Sequence, residues 1–131
     1  MEGSVWWMKT FEQCIEHILM DIERRKTVDY GDKNSVRRYN AAYDRMAKNV
    51  DRIESMCPEC REAFFQYIYH DDPAVSETFA CFVFYRNSFS IDQKKDAVRR
   101  IEQLLLDGAI TGLSTVGYEF LLPRWKQALD I

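Results

Sequence analysis

The sequence lacks several features that would assign it to a functional class at once. Its five glycines are scattered, so it has no glycine-rich phosphate loop. It contains no apolar run of about eighteen residues that could cross a bilayer, and it does not open with the pattern of a secretory signal. Its two histidines, His17 and His70, have no partners at a spacing typical of a catalytic set, and we interpret them as structural or helix-capping. We therefore expect a soluble, cytoplasmic protein with no catalytic residues, no cofactor and no metal.

The composition is that of a folded domain. The 131 residues are 47% hydrophobic and include three Trp, seven Tyr and eight Phe, which is too apolar for a disordered chain. A chain of this length favours one domain, residues 1–131, with one core. The formal net charge of −3 disfavours an unspecific nucleic-acid binder and makes a basic partner easier to accommodate than an acidic one.

Apolar residues recur at helical spacing in the first part of the chain. We expect one helix near residues 4–26 and a longer one near 35–56, separated by the turn-forming segment 27–34. The second helix carries charges of both signs on its other faces, which indicates a solvated surface and not a basic patch. The stripes are Trp7, Phe11, Cys14, Ile15, Ile18, Leu19 and Ile22, then Val36, Tyr39, Tyr43, Met46, Val50 and Ile53.

Helix-start signals mark a third and a fourth helix. Pro58 suits the first turn of a helix, where its missing amide hydrogen costs nothing, and the acidic turn at Asp71 and Asp72 ends that helix. Asp72 can then cap the next helix, with Pro73 behind it, and that helix extends to about residue 86. Residues 79–85 also favour a strand, but a lone strand has nothing to pair with, so we interpret them as helical.

Two further segments complete the helical pattern. Ser90 and Gln93 match a capping box for a fifth helix, and Gly108 is its expected end. The last segment, residues 114–130, contains Pro123, which predicts a kink or a break into two short helices. The sequence therefore predicts an all-α fold of about six helices, with a long N-terminal helix pair.

From residue 58 to 129 the chain resembles a HEAT-type helical repeat. Asp72, Pro73, Val75 and Ala80 match the turn and the following helix of that repeat, whereas Ser76 stands where the repeat usually has arginine. The layout is most similar to a small bacterial domain family of unknown function. This resemblance implies an α-α superhelical stack, in which each helix pair buries one face against the next.

The CxxC motif at Cys57 and Cys60 is the most chemically suggestive local pattern. Such a pair at a helix start can form a redox dithiol, or it can bind zinc if His70 and either Cys14 or Cys81 complete the ligands. Redox families place the motif after a strand, however, and structural zinc sites usually have two compact ligand pairs. We therefore favour reduced thiols or structural pairing.

The aromatic excess has two explanations that the sequence leaves open. Large rings can fill a thick core, or they can anchor a partner at the surface. The residues in question are Tyr67, Tyr69, Phe84, Tyr85, Tyr118 and Trp125.

A groove with an acidic rim and an aromatic floor is the binding surface we predict. Small acidic helical proteins of this kind resemble immunity proteins of contact-dependent inhibition or related toxin systems, which cover the active site of a cognate toxin. Many such toxins are basic, so an acidic inhibitor would gain association rate. We expect a non-enzymatic protein-binding module with no nucleic-acid or membrane partner; the alternative is a self-associating structural or regulatory scaffold. The predicted contact residues are Glu59, Glu62, Tyr69, Asp71, Asp72, Glu77, Tyr85 and Trp125.

Overall fold

The computed structural model describes residues 9–131, and within that range the chain is helical with no strand. The predicted all-α fold is confirmed for this part of the chain, including helix over residues 79–85. The chain forms two compact units. The first ends at Cys60, and the second is Arg61–Ile131. The α-helices are α1 Phe11–Arg25, α2 Lys33–Glu54, α3 Pro58–Gln66, α4 Pro73–Tyr85, α5 Ile91–Leu106 and α6 Leu113–Leu129, with a 3-10 turn at Tyr67–Tyr69.

Side-chain caps determine where α1 and α2 begin. The Thr10 hydroxyl accepts a hydrogen bond from the Gln13 amide at 3.2 Å, while the Gln13 side chain accepts one from the Thr10 amide at 2.9 Å. This capping box starts α1 at Phe11, so the predicted helix was wrong for residues 9 and 10. The predicted helix start near residue 4, and Trp7 of its apolar stripe, lie outside the described residues. Asp32 accepts from the Asn34 amide at 2.9 Å, which starts α2 two residues earlier than predicted.

The predicted caps of α4 and α5 are confirmed. Asp72 Oδ1 accepts a hydrogen bond from the Ala74 amide at 2.9 Å, and Pro73 occupies the first helical position. Ser90 and Gln93 form the reciprocal bonds of a capping box at the start of α5. Both junctions are therefore fixed by residues within one helical turn.

The two predicted helix terminators behave differently. After α5, Gly108 has a φ of +71°, its amide donates to the Leu105 carbonyl, and the Ala109 amide donates to the Leu104 carbonyl. This is a Schellman ending, for which glycine is suited because it adopts the left-handed conformation without a steric penalty. Pro123 does not break α6, which runs uninterrupted, so the predicted division into two helices is wrong.

In the first unit, α1 and α2 form an antiparallel pair. Lys9 contacts Asn49 and Asp21 contacts Arg45, so later positions in α1 meet earlier positions in α2. Tyr43 was predicted to face inward but is 46% exposed, with the Arg25 guanidinium 5.2 Å from its ring centroid. The residues of the two predicted stripes that are buried are Cys14, Ile15, Ile18 and Ile22 of α1 and Met46, Val50 and Ile53 of α2. Ala42 of α2, which was not in the predicted stripe, is also buried.

In the second unit, α4 is buried on several sides, as its apolar sequence predicts. Phe79 on α4 has its ring centroid 4.7 Å from that of Phe64 on α3 and 4.9 Å from that of Tyr67 in the 3-10 turn. These close ring contacts account for part of the stabilisation, because paired aromatic side chains contribute beyond the area they bury.

A polar contact also ties α4 to α5. Ser76 is fully buried, and its hydroxyl donates to the Ile68 carbonyl. The Arg100 Nε donates to both the Ser76 hydroxyl, at 2.9 Å, and the Ile68 carbonyl, at 3.0 Å. Arg100 of α5 therefore joins Ser76 of α4 to the 3-10 turn that precedes α4.

Among the described residues, no helix has both the length and the apolar composition that crossing a membrane requires.

Asp72 and its neighbour Asp71 provide a matched test of the α4 cap. Asp72→Ala should lower the free energy of unfolding by about 1 kcal/mol, because it removes the acceptor for an amide of the first turn. Asp71 is exposed, so Asp71→Ala should change that free energy by less than about 0.5 kcal/mol. Urea unfolding followed by circular dichroism measures both. Equal effects of the two substitutions would contradict the assignment of Asp72 as the cap.

Candidate functional site

The predicted contact residues occupy several different environments. Glu59 belongs to the first unit, whereas the other seven belong to the second. Glu62 accepts hydrogen bonds from Gln66 at 2.7 Å and Gln93 at 3.2 Å. Asp71 is exposed, and Asp72 is the cap described above.

Three of the predicted residues, Glu77, Tyr85 and Trp125, come together between α4 and α6. They line a groove of about 210 Å³. The lining residues of α4 are spaced four positions apart and so lie on one face of that helix, and the lining residues of α6 also share one face. The groove is open beside Gly117, since a Cβ atom added there would meet no other atom within 4 Å. We call this the α4–α6 groove, and its lining is Glu77, Cys81, Tyr85, Ser114, Gly117, Tyr118, Leu121 and Trp125.

A hydrogen-bonded chain runs across the α4–α6 groove. The Tyr118 hydroxyl donates to Glu77 Oε2 at 2.6 Å, and Cys81 Sγ lies 3.2 Å from the same hydroxyl oxygen. Because the single hydroxyl proton of Tyr118 is given to Glu77, the Cys81 thiol acts as the donor to Tyr118. Burial raises the pKa of Cys81 to about 11 and also raises the pKa of Tyr118, with Cys81 and Glu77 adding to the latter effect. Both groups are therefore protonated at neutral pH, and the Cys81 thiol is a weak nucleophile there.

The aromatic residues divide between core and surface. Trp125 is 5% exposed and stacks on Phe84 at a centroid distance of 4.4 Å, and Tyr118 is also buried. Tyr85 is 59% exposed, with its ring edge-on to Trp125 at 5.4 Å, and Tyr69 is 50% exposed. Tyr85 thus presents an open ring at the edge of a packed aromatic cluster.

The CxxC motif lies at the beginning of α3. Cys57 and Cys60 are free thiols with sulfur atoms 3.3 Å apart, and Cys57 is exposed. The hydrogen bond from Cys60 lowers the pKa of Cys57, and the same interaction raises the pKa of Cys60. The motif follows α2 and its short loop instead of the strand that precedes it in redox families.

The zinc alternative does not assemble in the described part of the chain. Within residues 9–131, no three His, Cys, Asp or Glu side chains come close enough together to hold a metal ion. His70, the proposed third ligand, uses Nδ1 to accept the Asp72 amide at 3.0 Å and stacks on Tyr67. It therefore supports the turn into α4.

A second concave site, which the sequence did not lead us to expect, lies between α1 and α2. It has a volume of about 660 Å³ and is lined by positions i, i+3, i+4 and i+7 of each helix. Five of its lining residues are cationic and, among the described residues that line it, Asp21 is the sole carboxylate. The interpretation that α2 carries no basic patch was therefore wrong. We call this the basic pocket, and its lining is Lys9, His17, Met20, Asp21, Arg24, Arg45, Lys48, Asn49 and Arg52.

Asp21 positions two of the arginines. Its side chain is 2% exposed, and Oδ1 lies 2.7 Å from Arg24 Nη1 and 2.8 Å from Arg45 Nη2. Burial alone would raise the pKa of Asp21, but the hydrogen bonds from Arg45 and Arg24 outweigh it and hold that pKa below its usual range. The carboxylate is therefore ionised at neutral pH and fixes both guanidinium groups at the pocket wall.

Asn49 positions the other side of the basic pocket. It is 2% exposed, and its Oδ1 accepts hydrogen bonds from Lys9 Nζ at 3.1 Å and Arg52 Nη1 at 3.0 Å. Its Nδ2 donates to the Arg45 carbonyl at 3.1 Å, which fixes the orientation of the amide. The uncharged Asn49 side chain thus holds Lys9 and Arg52 close together without neutralising their charges.

The four cysteines should differ sharply in reactivity. With iodoacetamide at neutral pH, Cys57 should be alkylated first, because it is exposed and its pKa is lowered. Cys81 and Cys14 should react last, because burial raises the pKa of both. Peptide mass spectrometry over time gives the order, and Cys57→Ser should abolish the fast phase. Alkylation of Cys81 as fast as that of Cys57 would contradict the raised pKa of Cys81.

Asp21 should make stability depend on pH in the acid range. Its pKa is lower in the folded than in the unfolded protein, so its contribution is present above the unfolded value of about 4 and is lost as pH falls through the folded value. Asp21→Asn should cost about 1–3 kcal/mol at neutral pH, since it removes a charged acceptor of two arginines. The difference between wild type and variant, measured by urea unfolding, should shrink towards acid pH. A difference that grows instead would contradict the direction of the shift.

Neither a protein-family model, nor a curated protein, nor a solved structure matches this chain. The α4–α6 groove and the basic pocket are therefore the two features from which a function can be argued.

Proposed function

We propose that the protein is a non-enzymatic binding module that recognises another protein through the α4–α6 groove. The observation that carries this proposal is the exposed ring of Tyr85, held edge-on to the buried Trp125 in a groove that Glu77 also lines. Rigid aromatic side chains at the edge of a packed pocket are typical of the residues that dominate protein–protein binding energy.

The size of the groove supports a protein partner over a small-molecule ligand. Pockets for small molecules and cofactors commonly measure about 300–1,000 Å³, whereas this groove has about 210 Å³. That volume suits one or two side chains of a partner. Contacts around the groove would then come from the surrounding surfaces of α4 and α6.

The chemistry of the groove favours a partner that inserts a lysine or an arginine. The aliphatic part of such a side chain would pack against Leu121 and Tyr85, and its charged end would reach Glu77. An aromatic face next to the cation adds a further attraction. A basic partner is also consistent with the net charge of −3.

The partner we propose is a bacterial toxin that this protein neutralises in the cytoplasm as an immunity protein. A basic toxin domain has the surface that the groove requires, and an acidic inhibitor can cover its active site. The HEAT-like arrangement of helix pairs remains a prediction and belongs to the same proposal. Fold alone does not determine function, so the weight lies on the groove residues.

The first test titrates the protein with the polypeptide encoded immediately upstream of it. We expect one-to-one binding by calorimetry, and Tyr85→Ala should weaken it about tenfold or more, equivalent to about 1.4 kcal/mol. Tyr30, in the first unit, is similarly exposed at 65%, so Tyr30→Ala is the matched control and should leave binding unchanged. Cells that carry the toxin should survive with wild type and lose protection with the Tyr85 variant.

Gly117 allows the groove to be filled without disturbing the core. Because a Cβ atom there meets nothing within 4 Å, Gly117→Ala should stabilise α6 by up to about 1 kcal/mol. Gly117→Leu should occupy the groove and abolish binding to the toxin while the protein stays folded, as measured by calorimetry and thermal melting.

Two results would reject the proposal. The first is binding of the upstream polypeptide that neither Tyr85→Ala nor Gly117→Leu affects. The second is the absence of such binding together with concentration-dependent self-association. Val116 and Phe120, which are exposed one turn apart on α6, could mediate that self-association and would favour the scaffold alternative.

A further inference from the structure

The basic pocket between α1 and α2 is lined mainly by positive charge, although the whole chain has a net charge of −3. Lys9, Arg24, Arg45, Lys48 and Arg52 line it, and Asp21 supplies the one negative charge in its described lining. Two of these cations are held by Asp21, whereas Lys9 and Arg52 are held by the uncharged Asn49. Most of the positive charge is therefore left without a balancing carboxylate in the lining.

The pocket is also organised before any ligand binds. Asp21 and Asn49 are both nearly inaccessible, and their hydrogen bonds set the positions of four cationic side chains. A site whose donors are already positioned loses less conformational entropy on binding than a set of free surface lysines. Arginine guanidinium groups, in addition, match the geometry of phosphate oxygens through paired hydrogen bonds.

We propose that the basic pocket binds a small anion that carries at least two phosphate groups. Its volume of about 660 Å³ lies within the range of small-molecule sites and leaves room for two such groups. Cations are contributed by both helices, so two phosphates can be contacted from opposite walls. This site is separate from the α4–α6 groove, and the inference does not depend on the protein partner proposed above.

The lining argues against a nucleic acid as the ligand. Proteins that bind single strands combine cations with aromatic rings on which the bases stack, and the described lining of this pocket contains His17 and Met20 but no Phe, Tyr or Trp. Duplex binders present a broad basic surface, whereas this chain has a net charge of −3. A compact phosphorylated molecule fits the concave shape better than a polymer.

The experiment titrates the full chain with inorganic pyrophosphate and with a hexose bisphosphate by calorimetry. We expect saturable one-to-one binding of at least one of them that weakens as salt is added, because the attraction is electrostatic. The double variant Lys48→Gln/Arg52→Gln should weaken that binding about tenfold or more, since two charged hydrogen-bond donors are removed. Tighter binding of the hexose bisphosphate than of pyrophosphate would indicate that the organic part of the ligand contributes to the affinity.

A matched control separates the pocket from overall charge. Lys33 and Arg37 are exposed on α2 and do not line the basic pocket, so Lys33→Gln/Arg37→Gln removes the same charge elsewhere on the helix. This control should change the affinity by less than about twofold, and thermal melting should show both double variants folded. Asp21 forms its ion pairs with Arg24 and Arg45, which neither double variant changes, so the buried carboxylate stays paired in both.

Three outcomes would overturn the proposal: no saturable binding of either phosphate compound at millimolar concentration, an equal loss of affinity in the two double variants, or tighter binding to duplex DNA than to both compounds. The last result would assign the surface to nucleic acid.

Discussion

Each buried polar side chain in a pair of helices needs hydrogen-bonding partners, and this requirement organises much of the described structure. Leaving such a group unsatisfied costs about 1–3 kcal/mol, a large part of the stability of a small domain. Asp21 and Asn49 meet the requirement by accepting hydrogen bonds from four long cationic side chains between α1 and α2. Ser35 accepts the Asp29 amide at 2.8 Å, and Ser76 bonds to Ile68 and Arg100. The polar interior thereby determines where the arginines lie, and so where positive charge collects.

The helix boundaries that could be predicted are those decided within one turn. Asp72, Ser90 and Gly108 act on backbone groups two or three residues away, and such local chemistry is readable from sequence. The break that was one of the two outcomes predicted for Pro123 does not occur, because the consequence of a proline depends on its surroundings. It is exposed, and so is Glu119, whose carbonyl loses its usual donor, so the helix can continue there without burying an unpaired group.

The candidate sites were less predictable because they depend on which helices are neighbours. Acidic and aromatic residues were chosen by type, and three of the eight lie in the α4–α6 groove. The groove is also lined by two small residues, Ser114 and Gly117, whose place in it appears only when α6 is placed against α4. The hydrogen bond between Arg100 and the Ile68 carbonyl joins residues 32 positions apart, and no local sequence pattern predicts it.

The basic pocket shows why charge has to be considered by helix face. Counted around the whole helix, α2 carries both signs, and the protein as a whole is acidic. Counted along the face that lines the basic pocket, three of the four positions 45, 48, 49 and 52 are basic. A ligand in a concave site responds to the charges within a screening length of about 8–10 Å more than to the net charge of the chain. Net charge therefore governs the long-range approach of a protein partner, while the local cations decide what the pocket itself can hold, and a single acidic chain can offer both kinds of site.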